Sequence, residues 1–258
     1  MITSLRQTAA MSKRSILALL RQPALVVPSM VFPLFFAALG TSSFGRATHL
    51  PGFPKVDSFL DFSLAGTIVQ GVLFGSVQSG SALATDIENG FFFRLLASPT
   101  SRLGILVGRL MGAATYGAAQ TLFFTLLLIP FGLRVKGGVG GAVVMLIAGG
   151  LTAIAVAGFM AAMALRTGSS EAVQGVFPLV FIALFFSSAF FPRQTMTGAY
   201  RHIANLNPIS YLIEGLRELC INGFTAASCA KSLLVPIGIM IVSFALALRA
   251  LSKRVAAA

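Results

Sequence analysis

The stretch GGVGGAVVMLIAGGLTAIAVAGFMAAMAL, residues 137–165, runs for 29 residues without an Asp, Glu, Lys or Arg, and Lys136 and Arg166 bound it. As a helix rising about 1.5 Å per residue it would be about 43 Å long. A hydrocarbon core of about 30 Å is crossed by about 20 apolar residues. This stretch therefore predicts a membrane-spanning helix. Outward from it, five more charge-free stretches lie at 22–45, 62–85, 110–133, 172–192 and 232–248, with lengths of 24, 24, 24, 21 and 17 residues. A charge at the centre of a span costs about 2.5–3.5 kcal/mol on insertion scales, so such gaps in the charge pattern mark crossings. Lys231 and Arg249 can snorkel from the shortest of them to the interfaces.

Composition leads to the same class. Hydrophobic residues make up 56% of the 258-residue chain and charged residues only 10%, against about 25% charged in soluble domains. The net charge of +12 is spread over short connections with no basic arm, which excludes nucleic acid as a partner and leaves the bilayer. The first stretch exceeds the usual signal-peptide core of about 7–15 residues, so it is taken as a retained span. The expectation is an all-α integral membrane protein, one transmembrane domain over 1–258 with six spans. Six spans put both termini on one side. With that side inside, inner segments hold eleven Lys and Arg and outer ones eight, a bias that favours cytoplasmic termini.

Between the spans, residues 4–21 place Leu5, Ala9, Ile16, Leu19 and Leu20 on one helical side and Arg6, Lys13, Arg14 and Arg21 on the other. That pattern suits a helix lying in the inner interface, or an ordinary positive flank. In the inner connection, Asp86 and Glu88 precede Gly90, Phe91–Phe93, Arg94, Leu95 and Leu96; Pro99 stops the helix, and Arg102 and Arg109 lead to the next span. An apolar helix on that side either lies on the membrane or docks into a partner. In the outer region 193–228, Asn207 and Pro208 form a helix start, followed by Tyr211, Glu214 and Arg217. The spacing of three predicts a Glu214–Arg217 ion pair. Cys220 and Cys229 are either a disulfide or two small apolar fillers.

Thr67, Gly71, Phe74, Gln78, Ser81 and Thr85 share one face of the second span, and Phe177, Phe181 and Phe185 one face of the fifth. These faces either line a pathway or pack helix on helix. The charge-free stretches argue against an ion-coupled carrier, which generally needs a charged group at mid-membrane. No HExxH, CxxC or G-x-x-x-x-G-K-[ST] occurs, so neither a metal centre nor an ATPase site is expected.

The 86–109 segment resembles the region between the second and third spans of ABC-2 type permeases, through Asp86, Glu88, Gly90, Leu95, Leu96, Ser98, Pro99, Ser101, Arg102, Gly108 and Arg109. Asn207, Pro208, Tyr211, Glu214 and Arg217 resemble the region before the last span in the daunorubicin-resistance-like branch, and SFLDFSLAG at 58–66 resembles the entry to the second span. The family often has Thr-Leu-Glu where this chain has Phe91–Phe93, and Pro where it has Ala65. The resemblance implies that 86–102 is a coupling helix seated on a separate ATPase, which binds ATP and Mg in two copies. It implies a second permease subunit, identical or related. Short outer-leaflet helices would cap a path between the second and fifth spans, and a drug, lipid or natural product would leave the bacterial cytoplasmic membrane along it. A non-transporting anchor for an ATPase is the rival.

Overall fold

The computed structural model describes residues 17, 23–49, 51–98 and 101–256. The segment 4–21, with Leu17 as its one described residue, and Pro99 thus fall outside the described residues. Ten α-helices and no strand occur among them: α1 (Pro23–Phe44), α2 (Phe59–Glu88), α3 (Phe91–Leu96), α4 (Arg102–Leu128), α5 (Gly138–Thr167), α6 (Ser170–Gln174), α7 (Phe177–Phe185), α8 (Gly198–Leu206), α9 (Pro208–Ile221) and α10 (Ala226–Ala256). Five are long and apolar enough to cross a membrane: α1, α2, α4, α5 and α10, some with a short extension.

α2 is the centre of the bundle. All of its most apolar 18-residue stretch is buried, against 17% for α1 and 22% for α10. It touches α1, α4, α5, α6 and α9, while α5 also packs on α4 and α10. Glycine allows this crowding. A Cβ on Gly71 would lie 2.5 Å from the Phe124 ring, and one on Gly80 would lie 2.4 Å from Met160 Cβ. Two apolar clusters are stacked along α2. One gathers Leu64, Ile68 and Phe124 with Leu212, Ile213 and Leu216 of α9. The other gathers Leu83, Ile87, Ile105 and Leu165 with Phe92 of α3 and Leu251 of α10.

The helix ends are set by local chemistry. Ser58 and Asp61 form a capping box at the start of α2, and Asp61 also accepts the Arg134 backbone N–H at 2.8 Å. The stretch expected as a fifth span, 172–192, is not one continuous helix. It divides into α6 and α7 at Gly175–Val176 and ends at Phe185. Pro178, in the first turn of α7, has no N–H and its ring conflicts with a carbonyl four residues back. The final helix is longer than 232–248, because Lys231, Arg249, Lys253 and Arg254 all continue its backbone pattern.

If close approach to α2 holds the bundle, Gly71→Leu or Gly80→Leu will cost about 1–3 kcal/mol or more by overpacking. Gly238→Leu, where no atom lies within 4 Å of an added Cβ, will change little. Thermal unfolding of the three purified variants checks this.

Candidate functional site

At the C-terminal end of α2 the chain reverses through Asn89 and Gly90. Gly90 has φ +69°, a left-handed backbone that an L-residue adopts only at a cost. The turn hands the chain to α3. Phe92 is 2% exposed and packs into the cluster of Leu83, Ile87 and Leu251, so it fastens α3 to the bundle. Phe93 is 38% exposed, and Arg94 and Arg102 are also exposed. Leu95 is half-buried against the same cluster as Phe92.

The acidic pair expected here is engaged within the chain. Asp86 forms an ion pair with Arg109. The Glu88 carboxylate accepts from the Ser170 backbone N–H at 2.6 Å and from its hydroxyl at 3.0 and 3.1 Å. One turn further on, Gln174 donates to Ser81 at 3.1 Å. α6 is thereby tied to α2 at two levels. The C-terminal helix closes the same corner: Arg254 donates to Leu165 O at 2.9 Å and lies 5.8 Å from the Phe93 ring.

Of the expected pathway residues, Phe74, Gln78 and Phe177 come together. They line a cavity of about 380 Å³ with Pro28, Ser29, Phe32, Val77, Gln174 and Pro178. Thr67 lies apart, in a pocket of about 60 Å³ with Gln70 and Phe36, and its hydroxyl is satisfied by Ser63 O at 3.0 Å. Gly71 serves packing against Phe124. Phe181 and Phe185 join Phe36 and Phe190 in an aromatic cluster, with Phe36 ring centroids 6.2, 5.9 and 5.5 Å from those of the other three. The contributions of Ser29, Phe32 and Phe36 were not legible in the sequence. α1 is apolar almost all round, so no polar stripe marks its inner face.

At the other end of α2, Asn207 is the N-cap of α9. Its Oδ1 accepts from Ile209 N at 2.9 Å, and its Nδ2 donates to Ala183 O and Phe186 O at 2.6 and 3.0 Å. One side chain thus starts α9 and satisfies carbonyls at the end of α7. Pro208 occupies the first turn of α9. Tyr211 donates to Asn205 O at 2.7 Å.

The expected Glu214–Arg217 pair does not form. Glu214 accepts both ends of the Arg193 fork, and Arg193 lies 4.5 Å over the Tyr211 ring. Burial disfavours the Arg193 charge, but the bonds and charge of Glu214 and Tyr211 outweigh it and raise its pKa. Arg217 turns inward instead. It is 5% exposed, donates to Phe62 O at 3.1 Å and Ser188 O at 2.7 Å, and lies 3.7 Å over the Phe62 ring. Free carbonyls where the chain leaves α7 draw it away from its helical neighbour. Cys220 and Cys229 are both free, Cys220 being buried; burial pushes the Cys220 thiol up to about 12.

Against known proteins, the family model described as "ABC-2 type transporter" matches residues 6–221. The chain belongs to that family. This ABC-2 chain is 32% identical over 213 residues to the daunorubicin resistance ABC transporter permease protein DrrB1 of Streptomyces coeruleorubidus, covering 80% of this chain and 72% of the relative. It is 23% identical over 240 residues to a probable doxorubicin resistance ABC transporter permease protein, DrrC, of Mycobacterium tuberculosis, covering 92% and 84%. It is 27% identical over 224 residues to a putative transport permease, ycf38, of Pyropia yezoensis, covering 83% and 74%.

In this ABC-2 chain Phe92 and Phe93 are neighbours with different work. Phe92→Ala will cost about 3–5 kcal/mol as a buried aromatic truncation. Phe93→Ala will stay within about 0.5 kcal/mol, as exposed substitutions do. Thermal unfolding of the pair separates anchor from exposed face.

Proposed function

We propose that this chain is the membrane-spanning subunit of an ATP-driven exporter. ATP and Mg are bound by a separate ATPase in two copies, and a second permease subunit, identical or related, completes the pore. The observation that carries this reading is the construction of α3. Phe92 holds a short helix under the Gly90 turn while Phe93 and Arg94 stay exposed beside it. The half-buried Leu95 and Leu96 and the exposed Phe93 and Arg94 together make a mixed apolar and basic surface that suits a partner. The family membership and the permeases among the relatives support the ATPase as that partner.

In this scheme the end bearing α3 and the chain termini face the bacterial cytoplasm. α6, α7 and the segment after them make a sixth, interrupted crossing. Force on α3 passes through the Glu88–Ser170 link to α6, and the aromatic cluster around Phe36 and Phe181 separates the 380 Å³ cavity from the smaller pocket beyond it. Its walls of phenylalanine and uncharged amides suit a hydrophobic or amphipathic molecule, and its volume falls within the roughly 300–1,000 Å³ of ligand sites. A drug is the substrate class that the names of two relatives support.

Co-expressed with its ATPase, the chain will lose at least about tenfold in substrate-stimulated hydrolysis and export with Glu88→Ala, Gly90→Leu or Arg94→Glu, a coupling change of about 1.4 kcal/mol. Wild-type coupling in all three would overturn the scheme. ATPase binding without export would favour a membrane anchor. Transport that survives ATP depletion and collapses with the proton gradient would favour an ion-coupled carrier.

A further inference from the structure

At the end of α2 opposite α3, a cleft of about 530 Å³ opens between the 52–55 loop, Gln194 and α9. Its polar wall carries Lys55, Glu214, Arg217 and Glu218. The two acids are matched. Glu214 is held by Arg193. Glu218 accepts from Lys231 at 2.7 Å and Asn222 at 2.6 Å. The two cations Lys55 and Arg217 are not: among the described residues neither has a carboxylate within 4.0 Å.

Arg217 is the more unusual of the two. Its guanidinium is pinned by Phe62 O and Ser188 O, with a longer contact to Ala189 O at 3.5 Å, through Nε and Nη2. The Phe62 ring lies under it, and Phe53 of the cleft wall packs on that ring with centroids 4.7 Å apart. Nη1 forms no hydrogen bond with the described residues, and the side chain borders the cleft. Asp61, the nearby buried acid, spends its carboxylate on the Ser58 and Arg134 backbone N–H groups. A cation 95% removed from solvent that is hydrogen-bonded only to carbonyls and lies on a ring is costly to keep charged. Burial lowers its pKa to about 10, with the charge of Glu214, already committed to Arg193, opposing that shift only in part. An anion in the cleft would relieve that cost, and a guanidinium edge is suited to an oxyanion.

We propose that this cleft binds an oxyanion, a phosphate or phosphodiester group held by Arg217 Nη1 with Lys55 closing the rim. The group comes either from a lipid headgroup at the interface or from a soluble phosphate. The site stands apart from the 380 Å³ cavity and does not require that transport be ATP-driven.

The test is thermal unfolding of the purified full chain in phosphate- and sulfate-free buffer. One arm adds inorganic phosphate against chloride at equal ionic strength. The other compares phosphatidylglycerol nanodiscs with nanodiscs of an uncharged glycolipid. Wild type is expected to gain about 2 °C or more in at least one arm; gain with phosphate identifies a soluble oxyanion, and gain only with phosphatidylglycerol identifies a headgroup. Arg217→Gln removes the gain. Lys55→Glu, at an exposed rim position, at least halves it and keeps the test readable if Arg217→Gln does not fold. Arg201→Gln, exposed on α8, retains it. No gain in either arm, a gain unchanged in Lys55→Glu, or a gain lost equally in Arg201→Gln would overturn the site.

Discussion

Close backbone approach around α2 holds the bundle together, with Gly71 and Gly80 standing where a Cβ would overlap Phe124 and Met160. In hydrocarbon, apolar side chains gain little by leaving lipid for protein, so helix association depends on van der Waals fit and a few hydrogen bonds. Small residues on a central helix give that fit. They also let α2 act as a rod of about 45 Å, from a rise of about 1.5 Å over its 30 residues, with neighbours on every side.

The two ends of that rod are built differently. At the Ser58 end, Asp61 and Arg217 are both buried and draw their bonds from the backbone, which ties α9 and the chain after α7 to the start of α2. At the Glu88 end, bonds run between exposed or half-buried side chains. The Asp86–Arg109 and Glu88–Ser170 links join α2 to α4 and α6. The Asp86–Arg109 pair is mostly buried, whereas the Glu88–Ser170 link is exposed and costs little to break and remake. A partner pressing on α3 would meet the adaptable end, and a rigid α2 would carry the displacement past the cavity.

Much of this was legible in the sequence because charge is costly in hydrocarbon. Five of the six charge-free stretches fall in long apolar helices. The sixth, 172–192, shows what charge counting cannot see: Pro178 and Gly175 interrupt the helix without adding any charge. The helix that holds 232–248 runs on past Lys231 and Arg249, as snorkelling allows, since long basic side chains keep a helical backbone while their heads seek water. Asn207 could be read as a cap because capping is local. Arg217 could not. Spacing along α9 offered Glu214 as its partner, whereas the carbonyls it binds belong to Phe62 and Ser188, distant in sequence. Of the two faces read from the sequence, Phe74, Gln78 and Phe177 meet at one cavity, while Gly71 packs against Phe124 and α1 supplies walls no stripe announced.

The central claim is that α3 faces the cell interior and is covered there by an ATPase. The direct measurement is labelling of single cysteines at Asn89 and Arg94, with Cys220 and Cys229 replaced, using a membrane-impermeant maleimide on intact cells and on inside-out vesicles. The account predicts labelling only in the vesicles, and protection at Arg94 when the ATPase is co-expressed. Labelling of either site on intact cells, or equal labelling at Arg94 with and without the ATPase, would contradict it.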